Sequence, residues 1–572
     1  MRIDELDIDP RIVAKLREEG IETLYPPQEK AVGPALAREN LVLAIPTASG
    51  KSLVAYLAIL QAVLRGGKAL YIVPLKALAS EKREDLARFE SMGIRVGEST
   101  GDFDEVDRRL QTYDIVVATS EKVDSLLRHK AKWLEQLSVV VADEVHLIND
   151  PDRGPTLEVI LVKFRTFNPD AQIIALSATM KNSAELAAWL DAQLVQSEWR
   201  PVPLRQGVYC DGEVFFTDNT RRDVHSDDPV EGLVAHTLSS GGQALVFVNS
   251  RRSCESLALS LGPSLKKHFK ERDERLSVAS KRLVSEQDEP TGMGARLARA
   301  VRNGCAFHHA GLTNAQRKLV ESTFKDGTLG CIVATPTLAA GINLPARMVV
   351  VRDVKRYDSN SGFTHIPVLE VRQMCGRAGR PKYDKSGEAV LIAKSEVERD
   401  LLLEEYLLGE NETLYSKLGT EPAIRSHVLA LVATKEAHDL EGLDGFFERT
   451  FLAHQTDTAA LKDAVANVVE YLRKEGMIRE GEELRATAFG KRVSDLYIDP
   501  KSAVTIRDAL EKPGRKGEFG LLHAVCSTPD MQLMYLRQSD YEQVEEYLET
   551  VKDEMILQPP DDLANYELFL SE

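Results

Sequence analysis

The chain has 572 residues, of which 43% are hydrophobic and 28% are charged. This length exceeds what one hydrophobic core supports and indicates about three or four domains, and the composition excludes a disordered or fibrous protein. The net charge of −17 disfavours loose, non-specific binding to nucleic acid. Residues 501–572 alone hold seven basic and fifteen acidic residues, a net charge of −8, so the acidity is concentrated at one end.

The N-terminal segment MRIDELDIDPRIVAKLREEG mixes both charge signs and has no apolar centre, so we expect no secretory signal. We also expect no membrane span, because the sequence contains no run of about 18 apolar residues. The six cysteines are scattered without a close pair, which argues against a zinc site and a disulfide framework. This cysteine usage predicts a reducing, cytoplasmic location.

From residue 41 to about 200, short β-branched runs alternate with amphipathic helical stretches. Four runs are apolar enough for strands buried on both faces of a parallel sheet: ALYIVPL, YDIVVAT, LSVVVADE and AQIIALSAT. The pattern pauses at SEWRPVPLRQGVYCDGEVFF, which we interpret as a connector, and a second series follows with QALVFVNS, CAFHHAG, GCIVATPTL, RMVVVRDV and EAVLIAK. Two tandem α/β domains are therefore predicted, over residues 1–200 and 201–405.

The segment 265–300 is rich in Lys, Arg and Glu and predicts a solvated helical insertion in the second domain. Beyond about residue 405 the strand signal fades into helical stretches such as DAVANVVEYLRKEGMI. The following REGEELRATAFGKRVSDLYID favours a small hairpin and a helix. We predict a winged-helix-like domain over residues 406–500.

The stretch LAIPTASGKSLVAY, residues 43–56, joins a strand to a helix through a loop that ends in Gly-Lys-Ser. Backbone N–H groups at such a junction cradle phosphate, a lysine adds positive charge, and a hydroxyl ligates magnesium. The usual first glycine is replaced by Ile45, so an ordinary strand–turn–helix connection is the alternative. The phosphate interpretation assigns ATP binding to Pro46, Thr47, Ala48, Ser49, Gly50, Lys51 and Ser52.

The run VVVADEVH, residues 139–146, delivers two carboxylates to the carboxyl end of a buried strand, where open sheets bind ligands. Asp143 would hold Mg²⁺ together with Ser52, and Glu144 would orient and deprotonate the attacking water. The alternative is that Asp-Glu merely caps a helix.

These two motifs resemble motif I and the DExH box of superfamily 2 helicases, and the remaining motifs follow in order. In the first domain these are LYPPQ, VPLKALA, STGD, TSEKVDSLLR and LSAT (motif III); in the second they are VFVNSRR, FHHAGLTNAQR, ATPTLAAGINLPA (motif V) and QMCGRAGRP (motif VI). The motif sequences are most similar to those of archaeal HelQ-like DNA helicases of the Ski-like group. The segments that carry this similarity are HHAGL, GINLPAR, WRPVPL, SKLG and LYIDP. The resemblance covers essentially the whole chain and implies two RecA-like domains, a winged-helix domain and, over residues 501–572, the start of a helical bundle.

The resemblance assigns further roles around the nucleotide. Gln28 would read adenine, Gly341 would contribute to ATP binding, and Gln373 would touch the nucleotide or the attacking water. Arg377 and Arg380 would stabilise the phosphoryl group in transfer when the domains close, although surface arginines are the alternative. Coupling of hydrolysis to motion is assigned to His146, Ser177 and Thr179.

A translocase grips backbone phosphates rather than base edges. The motifs predict such contacts from Lys76, Thr100, Lys122, Arg251 and Thr335. Between motifs V and VI, two β-prone arms flank the turn sequence DSNSG, and the resemblance implies a strand-separating hairpin at about 351–366. Tyr357 and Phe363 near its tip would stack on the last base pair; a plain surface hairpin is the alternative.

The resemblance implies an ATP- and Mg²⁺-dependent 3′-to-5′ DNA helicase that acts as a monomer on single-stranded and forked DNA. Its expected partners are single-strand-binding protein or other replication-fork proteins. An RNA helicase of the same group, or a DNA-stimulated ATPase that remodels protein–DNA complexes without unwinding, are the alternatives. Members of the group continue past the sequence that ends at Glu572 into the rest of the bundle and a helix-hairpin-helix domain. We therefore expect this chain to hydrolyse ATP competently but to bind forks weakly and unwind with poor processivity.

Overall fold

Two largely parallel sheets dominate the structure, a computed structural model that describes residues 1–557 except 47, 102–107, 286–291, 337, 339–343, 359–361, 382, 480, 513–516 and 532–540. The first sheet has the order β3-β4-β2-β5-β6-β1-β7, and its strand pairs are parallel. Its strands are β1 Leu41–Ala44, β2 Lys68–Val73, β3 Val96–Ser99, β4 Ile115–Thr119, β5 Leu137–Ala142, β6 Gln172–Ser177 and β7 Gln193–Gln196.

Helices cover both faces of this first sheet. They are Pro10–Glu18, Pro26–Leu36, Lys51–Leu64, Lys76–Ala87, Ser120–Arg128, Gly154–Phe167 and Ser183–Trp189. Along β5, Val139 and Val141 pack in one apolar cluster, whereas Val140 and Ala142 pack in the cluster on the opposite face. This two-sided burial explains why the strands are apolar at every position, and it confirms the predicted α/β class.

The second sheet has the order β10-β9-β8-β17-β14-β11-β13-β12. Its strands are β8 Leu204–Cys210, β9 Glu213–Phe216, β10 Arg221–Asp223, β11 Ala244–Phe247, β12 Cys305–His308, β13 Cys331–Ala334, β14 Met348–Val351 and β17 Gly387–Ile392. A separate antiparallel pair, β15 Lys355–Asp358 and β16 Gly362–His365, stands between β14 and β17 in the chain. The accompanying helices are Pro229–Ser239, Arg251–Leu265, Asp273–Ser285, Gly292–Arg302, Asn314–Lys325, Val368–Cys375 and Glu396–Leu401.

Two expectations about this domain were wrong. The predicted connector contains β8 and β9, and β8 pairs with β17 in the sheet. Its half-exposed positions lack the continuous apolar run of a central strand, which concealed it. The supposed solvated insertion is helical, but Leu276, Ala279 and Leu283 are buried in the core of the second domain, so one face is packed rather than solvated.

The third domain combines helices with a short hairpin, as the sequence predicted. Its helices are Glu421–Ala433, Leu440–Phe447, Phe451–Gln455, Thr458–Lys474 and Ala488–Leu496, and β18 Ile478–Arg479 pairs with β19 Arg485–Ala486. Helices Pro500–Glu511, Glu518–Cys526 and Tyr541–Val551 follow. Within the described residues no helix is both long and apolar enough to cross a membrane, and each of the six cysteines is buried.

Candidate nucleotide site and nucleic-acid face

The loop between β1 and the helix Lys51–Leu64 has the backbone that a phosphate cradle requires. Ala48 and Gly50 both adopt left-handed conformations, with φ of 67° and 75°. A Cβ atom at Gly50 would lie 2.3 Å from Gln28 Nε2. Both this close approach and the left-handed φ favour glycine at position 50. Ser49 Oγ donates to the Trp199 carbonyl at 3.0 Å, which ties the loop to the connection between the first two domains. Thr47 lies outside the described residues.

Gln28 is buried against this loop rather than open to solvent. Its Oε1 accepts from the Tyr25 N–H at 2.8 Å, and its Nε2 donates to the Gly50 carbonyl at 3.0 Å. Tyr25 in turn lies 4.8 Å from Trp199, measured between ring centroids. Both ends of the Gln28 amide therefore support the loop here, and its reading of adenine stays a prediction.

Asp143 and Glu144 follow β5 directly and meet Lys51 across the cleft. Lys51 Nζ lies 2.9 Å from Glu144 Oε1 and 3.9 Å from Asp143 Oδ1. Burial would raise the pKa of Glu144, but Lys51, then His146, and finally Arg377 outweigh it and lower that pKa to about 2. Glu144 is thus a carboxylate at neutral pH, as a general base must be.

The oxygen atoms of Ser52 and Asp143 form the donor set that the sequence assigns to Mg²⁺. Asp143 is held in place by Tyr71, whose hydroxyl donates to Oδ2 at 2.8 Å. The ammonium of Lys82 lies 3.1 Å from Ser52 Oγ and 3.9 Å from Asp143 Oδ2, so these oxygen atoms already face a cation. Oxygen donors around a cation suit Mg²⁺, and the residues present therefore fit that ion.

Two side chains of the second domain approach the DExH motif of the first. Arg377 lines a cavity of about 410 Å³ together with Lys51, Asp143 and Glu144, and its own pKa is lowered by burial against the opposing pull of Glu144. Gln373 Nε2 lies 2.6 Å from His146 Nε2. Both residues belong to the segment that begins with the helix Val368–Cys375.

His146 connects this interdomain contact to motif III. Its Nδ1 lies 3.4 Å from Glu144 Oε2 and 3.5 Å from Ser177 Oγ. Burial lowers the pKa of His146, against the pull of Glu144, so the imidazole is neutral at neutral pH. Thr179, two residues beyond Ser177, lines a second interdomain cavity of about 850 Å³.

Arg380 is not in the cleft, contrary to the expectation from the GRAGR sequence. Its guanidinium pairs with Asp384 at 2.7 Å and donates to Gln243 Oε1 at 2.7 Å. Gly379, with φ of 97°, turns the backbone between the two arginines. Arg377 therefore faces the first domain, whereas Arg380 lies in a polar network inside the second. Gly341 lies outside the described residues.

The expected strand-contacting residues all follow parallel strands, but their exposure differs. Lys76 and Arg251 are exposed and Thr100 is partly exposed. Lys122 and Thr335 are only 4% and 9% exposed, and their contact with a phosphate stays a prediction. The helix Ser120–Arg128 turns Lys122 towards the interior, since nearly all of that helix is buried.

The predicted hairpin is present as β15 and β16, with Tyr357 opposite Phe363 in the register. Its turn, residues 359–361, lies outside the described residues. Arg356 Nη1 donates to Glu370 Oε2 at 2.9 Å, which ties β15 to the helix that also carries Gln373. Burial raises the pKa of Glu370, against the pull of Arg356.

Sequence reasoning missed Tyr71 and Lys82. Tyr71 is a fully buried polar residue in a central strand, which signals a required hydrogen bond. Lys82 occupies a position in the apolar repeat of the helix Lys76–Ala87, together with Leu78, Ala79 and Leu86. A lysine on the buried face of an amphipathic helix is the signal that could have found it.

Comparisons with known proteins agree with this geometry. Family models match in chain order: a DEAD/DEAH box helicase over residues 25–187, a helicase conserved C-terminal domain over 292–382, a helix-turn-helix domain over 387–479 and domain 4 of an archaeal helicase over 519–572. Fold and site thus define a helicase with a two-domain DEAD/DEAH-type motor, and the expected helix-turn-helix and helical parts are confirmed.

Three relatives bear the name ATP-dependent DNA helicase Hel308. The one from Methanocella arvoryzae is 48% identical over all of this chain and 79% of its own length. Those from Pyrococcus horikoshii and Pyrobaculum calidifontis are each 44% identical, over 93% and 95% of this chain and 73% and 78% of their own lengths. The chain belongs to the Hel308 family.

Proposed function

We propose that this protein is an ATP-dependent DNA helicase that translocates 3′ to 5′ and acts on forked or branched DNA in repair or recombination. One observation carries the proposal: the second domain meets the DExH motif of the first, since Arg377 lines a cavity with Lys51 and Glu144, and Gln373 contacts His146. A motor that steps along a strand requires hydrolysis at such a domain boundary. The names of the Hel308 relatives support DNA as the substrate.

Each residue of the cleft has a distinct part in hydrolysis. The loop that contains Gly50 presents backbone N–H groups to the phosphates, and Lys51 neutralises their charge. Glu144 accepts the proton of the attacking water, and Arg377 stabilises the negative charge that develops on the transferred phosphoryl group. Ser52 and Asp143 would hold Mg²⁺, which supplies charge neutralisation between the phosphates when bound.

Nucleotide binding breaks the Lys51–Glu144 ion pair, because Lys51 then turns to phosphate. Glu144 is released towards the water, and His146, which contacts both Glu144 and Gln373, registers that change at the domain boundary. Loss of phosphate lets the domains open again, and the exposed Lys76 and Arg251 grip the strand alternately.

The hairpin of β15 and β16 separates the strands in this proposal. Its link to the helix Val368–Cys375 through Arg356 and Glu370 supports this role, since that helix moves with Gln373 when the cleft closes. The chain acts as a monomer in the cytoplasm, on single-stranded and forked DNA beside single-strand-binding protein. Within its family it is HelQ-like and Ski-like, a placement supported by HHAGL and GINLPAR.

The decisive experiment compares unwinding on matched forks of DNA and RNA, each with either a 3′ or a 5′ single-stranded tail. We expect ATP-dependent unwinding of the 3′-tailed DNA fork, with Glu144→Gln as the inactive control. Unwinding of the RNA fork at an equal or higher rate would favour an RNA helicase. DNA-stimulated ATP hydrolysis with no unwinding of any fork would favour a remodelling ATPase.

A further inference from the structure

Lys82 is a buried cation next to the phosphate loop. It lies on the inward face of the helix Lys76–Ala87 and is 8% exposed. Its Nζ donates to Ser52 Oγ at 3.1 Å and lies 3.9 Å from Asp143 Oδ2. A lysine is rarely buried without a charged partner, so this placement calls for an explanation.

Lys82 is the ammonium group on the Oδ2 side of Asp143. Two carboxylates, Asp143 and Glu144, face two ammonium groups, and Lys51 is nearer to Glu144, at 2.9 Å. Asp143 is 4% exposed and receives a hydrogen bond from the uncharged Tyr71. A buried carboxylate needs a compensating charge, and Lys82 supplies one on the Oδ2 side.

We infer that Lys82 is an internal counter-ion that faces the oxygen atoms of Ser52 and Asp143 while the site holds no nucleotide, and that gives way to the magnesium–nucleotide complex. The inference rests on the proposed function, because it requires that Ser52 and Asp143 hold the metal. Two cations of this kind repel each other at such short range. Lys82 therefore stabilises the empty site and weakens the binding of the incoming ion.

The test measures ADP binding by calorimetry over a range of magnesium concentrations, with EDTA at the low end. Lys82→Met removes the charge and keeps most of the volume. Arg83→Met is the matched control, because Arg83 is the next residue of the same helix. Among the described contacts its ion pair is with Glu90, 3.7 Å away at the surface. Lys82→Arg restores the charge. Thermal unfolding of the nucleotide-free proteins is measured in parallel.

We expect Lys82→Met to lower the magnesium concentration needed for half-maximal ADP binding on the order of tenfold. A change of this size corresponds to the free energy of one charge-assisted hydrogen bond. The nucleotide-free variant should also unfold at a lower temperature, while Lys82→Arg and Arg83→Met stay close to wild type. If Lys82→Met does not fold, Lys82→Gln is measured in the same way.

Two results would overturn the inference. ADP binding weakened by the same factor with magnesium and in EDTA would mean that Lys82 contacts the phosphates directly. An unchanged magnesium requirement would mean that Lys82 has only a packing role. A wild-type protein that binds no ADP under any condition would instead overturn the proposed function itself.

Discussion

Gln373 Nε2 and His146 Nε2 lie 2.6 Å apart, and this hydrogen bond joins the second domain to the end of the DExH motif. His146 also contacts Glu144, at 3.4 Å, so a single imidazole touches the proposed general base and the opposite domain. We propose that this chain of contacts relates the state of the nucleotide to the position of the second domain.

The first prediction concerns this contact. Gln373→Ala should leave basal ATP hydrolysis within a few-fold of wild type but reduce its stimulation by DNA about tenfold, because one interdomain hydrogen bond is lost. His146→Ala should have the same effect. Steady-state phosphate release with and without single-stranded DNA measures both.

The double variant separates coupling from independent damage. If the two residues act through their mutual hydrogen bond, the double variant loses no more stimulation than either single variant. Multiplied losses would show that the contact between Gln373 and His146 does not transmit the signal.

The second prediction concerns Lys51 and Glu144. Lys51→Ala should abolish hydrolysis by removing the charge that meets the phosphates, and Glu144→Gln should preserve ATP binding but block turnover. Calorimetric binding and phosphate release distinguish the two. Near-normal turnover by Glu144→Gln would exclude this residue as the base.

The lowered pKa of Glu144 adds a pH criterion. A carboxyl group whose pKa is about 2 stays ionised throughout the range from pH 5 to 8. In the nucleotide-free protein, infrared spectroscopy of the carboxylate band should therefore show no protonation of Glu144 near its ordinary pKa of 4.5. A signal of protonation near that pH that is absent from Glu144→Gln would contradict the ion pair with Lys51.

The third prediction separates the two arginines of GRAGR. Arg377→Ala should lower the turnover number by on the order of a thousandfold, as loss of an arginine on a transferring phosphoryl group does, with little change in ATP affinity. Arg380→Ala should lower the stability of the second domain instead, because it leaves Asp384 and Gln243 without their partner. Kinetics and thermal unfolding of both variants form the test, and normal turnover in Arg377→Ala would place that residue outside the site.

The sequence predicted the central strands and the phosphate loop well because both depend on local patterns. A strand buried on both faces is apolar throughout, as Val139 to Ala142 are, and a phosphate loop needs glycine where a side chain would clash. Both properties can be recognised in the local sequence, without knowledge of the elements that pack against it.

The sequence was less informative where contacts with a neighbouring element determine the position of a side chain. Arg377 and Arg380 are three residues apart in similar surroundings, and only the packing of Asp384 and Gln243 assigns one of them to the interior of its own domain. Lys82 was overlooked because lysine is usually a surface residue. The burial of Lys122 was not foreseen because it depends on packing within the first domain, where Val123 and Leu126 of the same helix lie in an apolar cluster.

The fourth prediction separates the wedge from the motor. Replacing residues 357–363 by a short Gly-containing turn should leave DNA-stimulated ATP hydrolysis largely intact but abolish most strand separation. Arg356→Ala should weaken unwinding in the same direction, because it removes the 2.9 Å bond that ties β15 to Glu370. Parallel assays of hydrolysis and fork unwinding measure the effect, and an equal loss of both activities would count against a wedge.

The fifth prediction concerns Glu158, a fully buried carboxyl group between the first and third domains. Its Oε2 accepts from Ser416 Oγ at 2.6 Å and its Oε1 accepts from the Leu452 N–H at 2.8 Å. Burial raises the pKa of Glu158 to about 7, although both hydrogen bonds lower it. Because the folded state holds this proton more tightly than the unfolded chain does, the contribution to stability is complete below pH 4.5 and is lost as the pH rises through about 7.

Glu158→Gln should therefore leave stability nearly unchanged at pH 4.5 and raise it at pH 8.5. The amide keeps an acceptor for Leu452 and offers a donor to Ser416, while the cost of a buried negative charge, on the order of 3 kcal/mol at high pH, disappears. The midpoint of thermal unfolding, measured at both pH values, gives the effect. Glu482→Gln, at an exposed position of the third domain, is the matched control and should shift the midpoint equally at both. A gap between Glu158→Gln and wild type that does not widen with pH would show that Glu158 is not protonated where the two domains meet.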